Sequence, residues 1–169
     1  MENALPYDET TEDAILGSII ANPEEYDAVA RYFTDIDVFY QRKARLLWER
    51  IRQMKREKQK IDTVTVCLSI TRKDINKGLT KYYVTGCTSN TCTPGMTELY
   101  ANQLYEKYLM RKIIVKAEEI KENAEDNTKD IYKTISEAHS ILSELLNIRP
   151  TMASDINDII AETVDSIKN

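Results

Sequence analysis

The sequence predicts an all-α protein: a compact helical head, a long antiparallel helical hairpin, and a C-terminal amphipathic linker helix. Three observations carry that prediction. Between residues 99 and 148, two stretches step their apolar side chains by three and four. They are Met110, Ile113, Ala117, Ile120 and Ala124, then Ile131, Ile135, Ala138, Leu142 and Leu145, and each set forms one stripe on a helix. The first 60 residues contain further short stretches with the same periodicity. Only 4 glycines and 4 prolines occur in 169 residues, which favours long helices over a turn-rich β fold.

Folded back at the polar stretch 125–128, the two long stripes meet in antiparallel register. Ala124 would face Ile131, Ile120 would face Ile135, and Ala117 would face Ala138. Ile113 would then face Leu142, and Met110 would face Leu145. The turn has an ordinary helix–helix connection length. The expected organisation is a head over residues 1–95, a hairpin of the same domain over 96–148, a linker over 149–153 and the linker helix over 154–169.

In chain order, residues 1–7 read as a tail, and a first helix starts near Asp8 with Ala14, Ile15, Leu16, Ile19 and Ile20 on its apolar side. It stops at Asn22-Pro23, because the residue before proline is pushed out of helical geometry. Asn22, Pro23 and Glu25 suit the cap, first position and capping box of a second helix, which Phe33 closes. A third helix over about 41–58 buries Leu47, Ile51 and Met54, joined by Leu46 and Trp48. Residues 61–70 alternate Val64, Val66, Leu68 and Ile70 with small polar residues, and by local pattern they would pair with 82–84 as a short β-hairpin. Asp62 nevertheless is a good helix cap. Residues 86–95 read as a loop, and Thr93-Pro94 suits the start of the long helix. After the break at residues 149–152, Ile156, Ile159, Ile160, Val164 and Ile167 form one more apolar stripe, the linker-helix docking face. A helix of that length is marginal alone in water and needs a covering partner.

Composition constrains function. Hydrophobic residues at 42% and charged residues at 30% suit a globular domain with a real core. No apolar run reaches the roughly 18 residues of a membrane span. Residues 1–12 are acidic and lack the positive flank of a signal peptide, so a cytoplasmic chain without membrane contact is expected. Cys67, Cys87 and Cys92 would stay reduced there. Cys87 and Cys92 have a loose ligand spacing but no second pair, and His139 sits beside a core position, so no metal site is expected. Glu118, Glu119 and Glu122 alternate with Lys116 and Lys121 as a solvated face. Asp126, Asn127 and Asp130 lack the glycine and distal glutamate of a calcium loop. The phosphate-cradling run G-x-x-x-x-G-K-[ST] does not occur, so no nucleotide cofactor and no catalytic residue is expected in this chain. Charge is uneven. Residues 42–60 hold nine basic residues against Glu49 and Glu57, a local +7 in a chain of −5. Arg42, Lys43, Arg45, Arg50, Arg52, Lys55 and Arg56 are candidate nucleic-acid contacts if this is more than a solvated face.

Leu5-Pro6 followed by Glu12-Asp13-Ala14-Ile15-Leu16-Gly17 resembles the opening P…E-x-x-V-L-G of the N-terminal domain of DnaB-family replicative helicases. Phe39-Tyr40 is similar to that family's F-Y before the third helix, and Lys60-Ile61-Asp62 to its P-I-D. Tyr100-Ala101 followed by Arg111 matches its Y-A…R spacing. Ala44 stands where the family usually has a histidine, and Lys60 replaces its proline. The resemblance implies helices over 63–71 and 79–85, against the local strand pattern.

It also implies a non-catalytic module of an ATP-dependent DNA helicase, with ATP and magnesium bound only by a separate motor domain. The expected partners are further copies of itself (a dimer, and a hexameric ring with the full-length protein), primase or a helicase loader, and DNA weakly or indirectly. The candidate self-association and partner residues are Tyr100, Leu104, Tyr108, Leu109 and Arg111 on the first hairpin helix, with Ile141, Leu146 and Ile148 on the second. Two other readings compete: a nucleic-acid-binding helical protein led by the basic helix, and a stand-alone mimic that regulates the helicase ring.

Overall fold

A computed structural model describes residues 5–93 and 95–147, and the described residues are helical throughout, without strands. The helices are α1 (Glu9–Ala21), α2 (Glu25–Ala30), a 3-10 turn (Ile36–Val38), α3 (Arg42–Arg56), α4 (Thr63–Ser69), α5 (Arg72–Asn76), α6 (Lys81–Thr88), α7 (Thr97–Glu125) and α8 (Ile131–Asn147). Ile148 and the stripe Ile156, Ile159, Ile160, Val164 and Ile167 lie outside the described residues, as does Pro94.

The head is assembled around α1. Asp8 starts that helix by accepting from the Thr11 N–H at 3.0 Å. All six residues from Ile15 to Ile20 are buried, so the helix has no solvent side over that stretch, and α2, α3, α4, α6 and α7 all pack on it. Gly17 permits the closest approach: a Cβ there would sit 2.0 Å from the Cys87 carbonyl oxygen of α6. Behind α1, Trp48 packs edge-on against Phe33 at 5.3 Å between ring centroids and donates its indole N–H to the Phe33 carbonyl at 3.2 Å. Phe39 completes this aromatic centre.

The strand pattern over residues 61–70 yields to helix, as the resemblance implies. Asp62 accepts from the Thr65 N–H at 2.8 Å while Thr65 Oγ1 accepts from the Asp62 N–H at 3.0 Å, a reciprocal capping box. Val66 is fully buried, but Val64 and Leu68 are exposed, so the alternation marks neither a sheet face nor a complete helix stripe. Thr80 caps α6 likewise by accepting from Tyr83 N–H. Two smaller expectations also change. Asn22 ends α1, and α2 starts after Glu24 without a side-chain cap. Residues 5–7 are tied down, because Tyr7 stacks on Tyr40 at 4.7 Å and the Pro6 carbonyl accepts from Arg111.

The antiparallel pair α7–α8 is present, but its seam is not the one the stripes suggested. Met110, Ile113, Ile131, Ile135 and Leu142 are between 52% and 62% exposed, and Ala117 and Ala124 are exposed too. Thr134 and Ile141 are the buried positions of α8, with Ala138 and Leu145 half-buried beside them. In the second half of α7 the half-covered positions are Lys112, Lys116, Ile120 and Asn123. At 100° per residue the predicted α7 stripe stands roughly a quarter turn from this seam and the α8 stripe about half that, with Ile120, Ala138 and Leu145 common to stripe and seam.

Candidate interaction surface on the hairpin

The site begins with how α7 is held. Its first half belongs to the head: Ala101, Leu104, Tyr105, Tyr108 and Arg111 are all buried. Arg111 donates to the carbonyls of Pro6 and Asp37, both at 2.8 Å, and of Val38 at 2.7 Å. Near it lies Glu12, fully buried, whose carboxylate accepts the backbone N–H groups of Tyr40 at 2.5 Å and Gln41 at 3.1 Å. Burial pushes the Glu12 carboxyl up, against the pull of those N–H donors and of the Arg111 charge. Glu12 thereby serves the start of α3, whose cap residue Gln41 makes no side-chain cap bond and whose first turn has no acidic residue. Tyr108 adds a second tie by donating to Asp35 at 2.5 Å. Burial raises the Asp35 carboxyl, but donation from Tyr108, the Asp37 N–H and Lys112 outweighs it and holds the group below the usual aspartate value.

These contacts correct the expected partner surface. Leu104, Tyr108 and Arg111 are core or near-core residues, and Ile141 is buried in the α7–α8 seam, so none presents its side chain to a partner. Tyr100 and Leu109 are half-buried against the head core. Leu146 alone of the described set is strongly exposed, at 73%. Sequence reasoning also missed Glu12 as a structural charge. Its signal was available, since Glu12 shares the three-and-four spacing of Ile15, Leu16 and Ile19.

What the hairpin does present is the open part of the two stripes, with Ile114 and Leu146 beside them. On α7, Met110, Ile113 and Ile114 are exposed, and on α8, Ile131, Ile135, Leu142 and Leu146 are exposed. Both sets are displaced from the seam in the same rotational sense along their own helices. In an antiparallel pair of right-handed helices, that sense puts both on the same broad side. The result is a two-helix apolar surface bordered on α7 by the Lys121–Glu118 ion pair at 2.9 Å. Contiguous exposed apolar surface of this kind marks an interface.

The basic helix α3 divides in two. Arg45 pairs with Asp37 at 3.0 Å, Arg50 with Asp74 at 2.7 Å and Lys55 with Asp27 at 3.0 Å, while Lys43 lies over the Tyr83 ring at 4.6 Å. Those four cations fasten the head together. Arg42, Arg52 and Arg56 form no ion pair among the described residues. No group of histidine, cysteine and acidic side chains that would hold a metal ion occurs among the described residues, and no described helix is long and apolar enough to cross a membrane. Burial pushes the Cys87 thiol up to about 12, which suits a packing residue.

Three likenesses bear on this architecture. The chain is 23% identical over 167 residues to the replicative DNA helicase DnaC of Bacillus subtilis (strain 168), matching 96% of the chain and 36% of that relative's length. It superposes on the crystal structure of the N-terminal domain of DnaB helicase from Mycobacterium tuberculosis with a TM-score of 0.74 at 17% identity, covering 84% of this chain and 99% of that one. A DnaB-like replicative helicase whose structure was described with its interactions with primase matches at a TM-score of 0.67 and 23% identity, over 90% of this chain and 34% of that one. With the sequence profile of the DnaB-like helicase N-terminal domain also matching residues 4–106, more than half its length, the chain belongs to that family.

Proposed function

We propose that the chain is the assembly and docking module of a cytoplasmic replicative helicase. Two copies pair through the apolar sides of their hairpins, such pairs build a hexameric collar, and the collar receives primase or a helicase loader. DNA is met weakly or through those partners, and ATP and magnesium belong to the motor domain of the full-length protein. The reading rests on the shared apolar side of α7 and α8, where Met110, Ile113, Ile114, Ile131, Ile135, Leu142 and Leu146 are each between 45% and 73% exposed. Burying the open half of each side chain contributes roughly 1 kcal/mol. Summed over both copies this is on the order of 14 kcal/mol, comparable with an association cost of about 4–15 kcal/mol. A flat pair of antiparallel helices suits a two-fold, self-complementary contact. The solved relative described with primase supports the docking half of the proposal.

Sedimentation velocity tests it. The chain should run as a dimer or larger at high concentration, and Ile113→Glu with Ile135→Glu should give a monomer with an unchanged helical circular dichroism signal. A wild-type chain that stays monomeric, or a variant that stays dimeric, refutes the pairing. Failure of the matching primase to co-sediment with the wild-type chain removes the docking half.

A further inference from the structure

The open apolar side of α8 is symmetric along its own length. Ile135 and Leu142 stand equally far from the peptide bond between Ala138 and His139, and so do Ile131 and Leu146. All four are between 54% and 73% exposed. On α7, Met110 and Ala124 stand equally far from Ala117. Ala117 lies eight residues before the end of α7 and His139 eight residues after the start of α8, so the two centres share one level of the hairpin. His139, the one histidine of the chain, is exposed and stands one turn from both Ile135 and Leu142, with Leu146 a turn beyond. Tyr132 is the other titratable side chain on that side of α8, because Lys133, Glu137 and Glu144 project at least a third of a turn away at 100° per residue. On α7, the charged groups nearest this level are tied to one another, Lys116 to Glu119 at 2.8 Å and Lys121 to Glu118 at 2.9 Å, and Glu122 lies further toward the hairpin tip.

We propose that His139 is a proton-operated release for the contact between two hairpins, an inference that rests on the pairing proposed above. The two-fold axis of a self-complementary contact runs through the middle of the patch. Here that middle is Ala117 on α7 and the Ala138–His139 step on α8. The copies then run antiparallel, with Ile131 opposite the partner's Leu146 and Ile135 opposite the partner's Leu142. His139 of each copy stands beside the axis, so two imidazoles approach from helices about 8–10 Å apart. Neutral rings are tolerated among these apolar side chains. Protonated rings bring two like charges together where water is being excluded, and an unpaired charge resists that burial. Histidine is the side chain whose charge ordinarily changes between about pH 5 and pH 8. Acidification opens the pair, and a neutral medium closes it.

Sedimentation equilibrium of the whole chain at about pH 7.5 and about pH 5.5 tests it, with helical circular dichroism recorded at both. Wild type should pair at least about tenfold more weakly at the lower pH while its helical signal stays unchanged. His139→Leu should pair equally well at both values, and His139→Lys should pair weakly at both. A wild-type dimer whose dissociation constant does not move between the two values overturns the inference and leaves the pairing standing. So does a His139→Leu chain that keeps the full response, or a His139→Lys chain that pairs like wild type at the higher pH. Dissociation accompanied by loss of helix also overturns it, since the head or hairpin is then unfolding. A wild-type chain already monomeric at the higher pH refutes the pairing itself, and this inference with it.

Discussion

Replacing Arg111 with methionine removes a charge and its donors while keeping an unbranched apolar stem. Three carbonyls, those of Pro6, Asp37 and Val38, lose their donor. The Pro6 and Asp37 contacts are only part-buried, so water replaces the donor there at small cost, whereas the Val38 contact is buried and its carbonyl goes unpaired. A second, smaller loss falls on Glu12, whose fully buried carboxylate keeps its two backbone donors but no longer feels the Arg111 charge. An unpaired buried acceptor costs about 1–3 kcal/mol, and that is the expected loss of stability at neutral pH.

The loss should depend on pH in one direction. The Glu12 carboxyl already stands above its ordinary value of 4.5 in the fold, and removing Arg111 takes away one of the forces lowering it. Protonation then relieves the buried charge as pH falls through the raised folded value toward the unfolded one, so the variant recovers stability relative to wild type over that window. Urea unfolding followed by circular dichroism at neutral pH and near pH 5 measures both effects. A loss below about 1 kcal/mol, or a deficit that widens on acidification, refutes the assignment of Arg111 and Glu12 as a coupled pair.

Gly17→Ala should destabilise the head by about 1–3 kcal/mol despite its better helix propensity, because the new methyl would stand 2.0 Å from the Cys87 carbonyl; thermal melting checks this. Tyr108→Phe should cost about 1–2 kcal/mol and let the Asp35 carboxyl rise toward its ordinary value, which NMR titration reads. Asp35 is held low in the fold, so its stabilisation is present above pH 3.8 and fades as pH falls through its folded value. Tyr108→Phe should therefore shrink that acid-side loss. Cys87, buried and with its thiol pushed up to about 12, should react with a maleimide only after unfolding.

Helical architecture was readable from the sequence because spacing alone reports which residues share a side. It does not report what covers that side. The stripe from Met110 to Ala124 looks the same whether its partner is α8 or another chain, and the fold leaves it open. Thr134 and Ile141 make the inner seam of α8 instead, and a threonine there gives little apolar signal. The helix α4 was hidden for a different reason. Its seven residues, TVTVCLS, are rich in β-branched side chains, and the reciprocal cap at Asp62 and Thr65 overrides that preference. The division of the basic helix was equally invisible. Asp27 and Asp74, which occupy Lys55 and Arg50, stand 28 and 24 residues away and meet them only through the packing of α2 and α5 on α3, while Asp37 reaches Arg45 from the nearby 3-10 turn. The motif residues shared with the helicase family proved to be fastenings: Glu12, Gly17 and Arg111 hold the head and seat α7 in it.

One uninterrupted helix of 29 residues begins inside the head and ends at the hairpin turn, so order in either half favours order in the other. Whatever grips the distal half must therefore also steady the proximal one, by mass action if by nothing else. A loosened head would weaken that grip in return, even with every gripping residue intact.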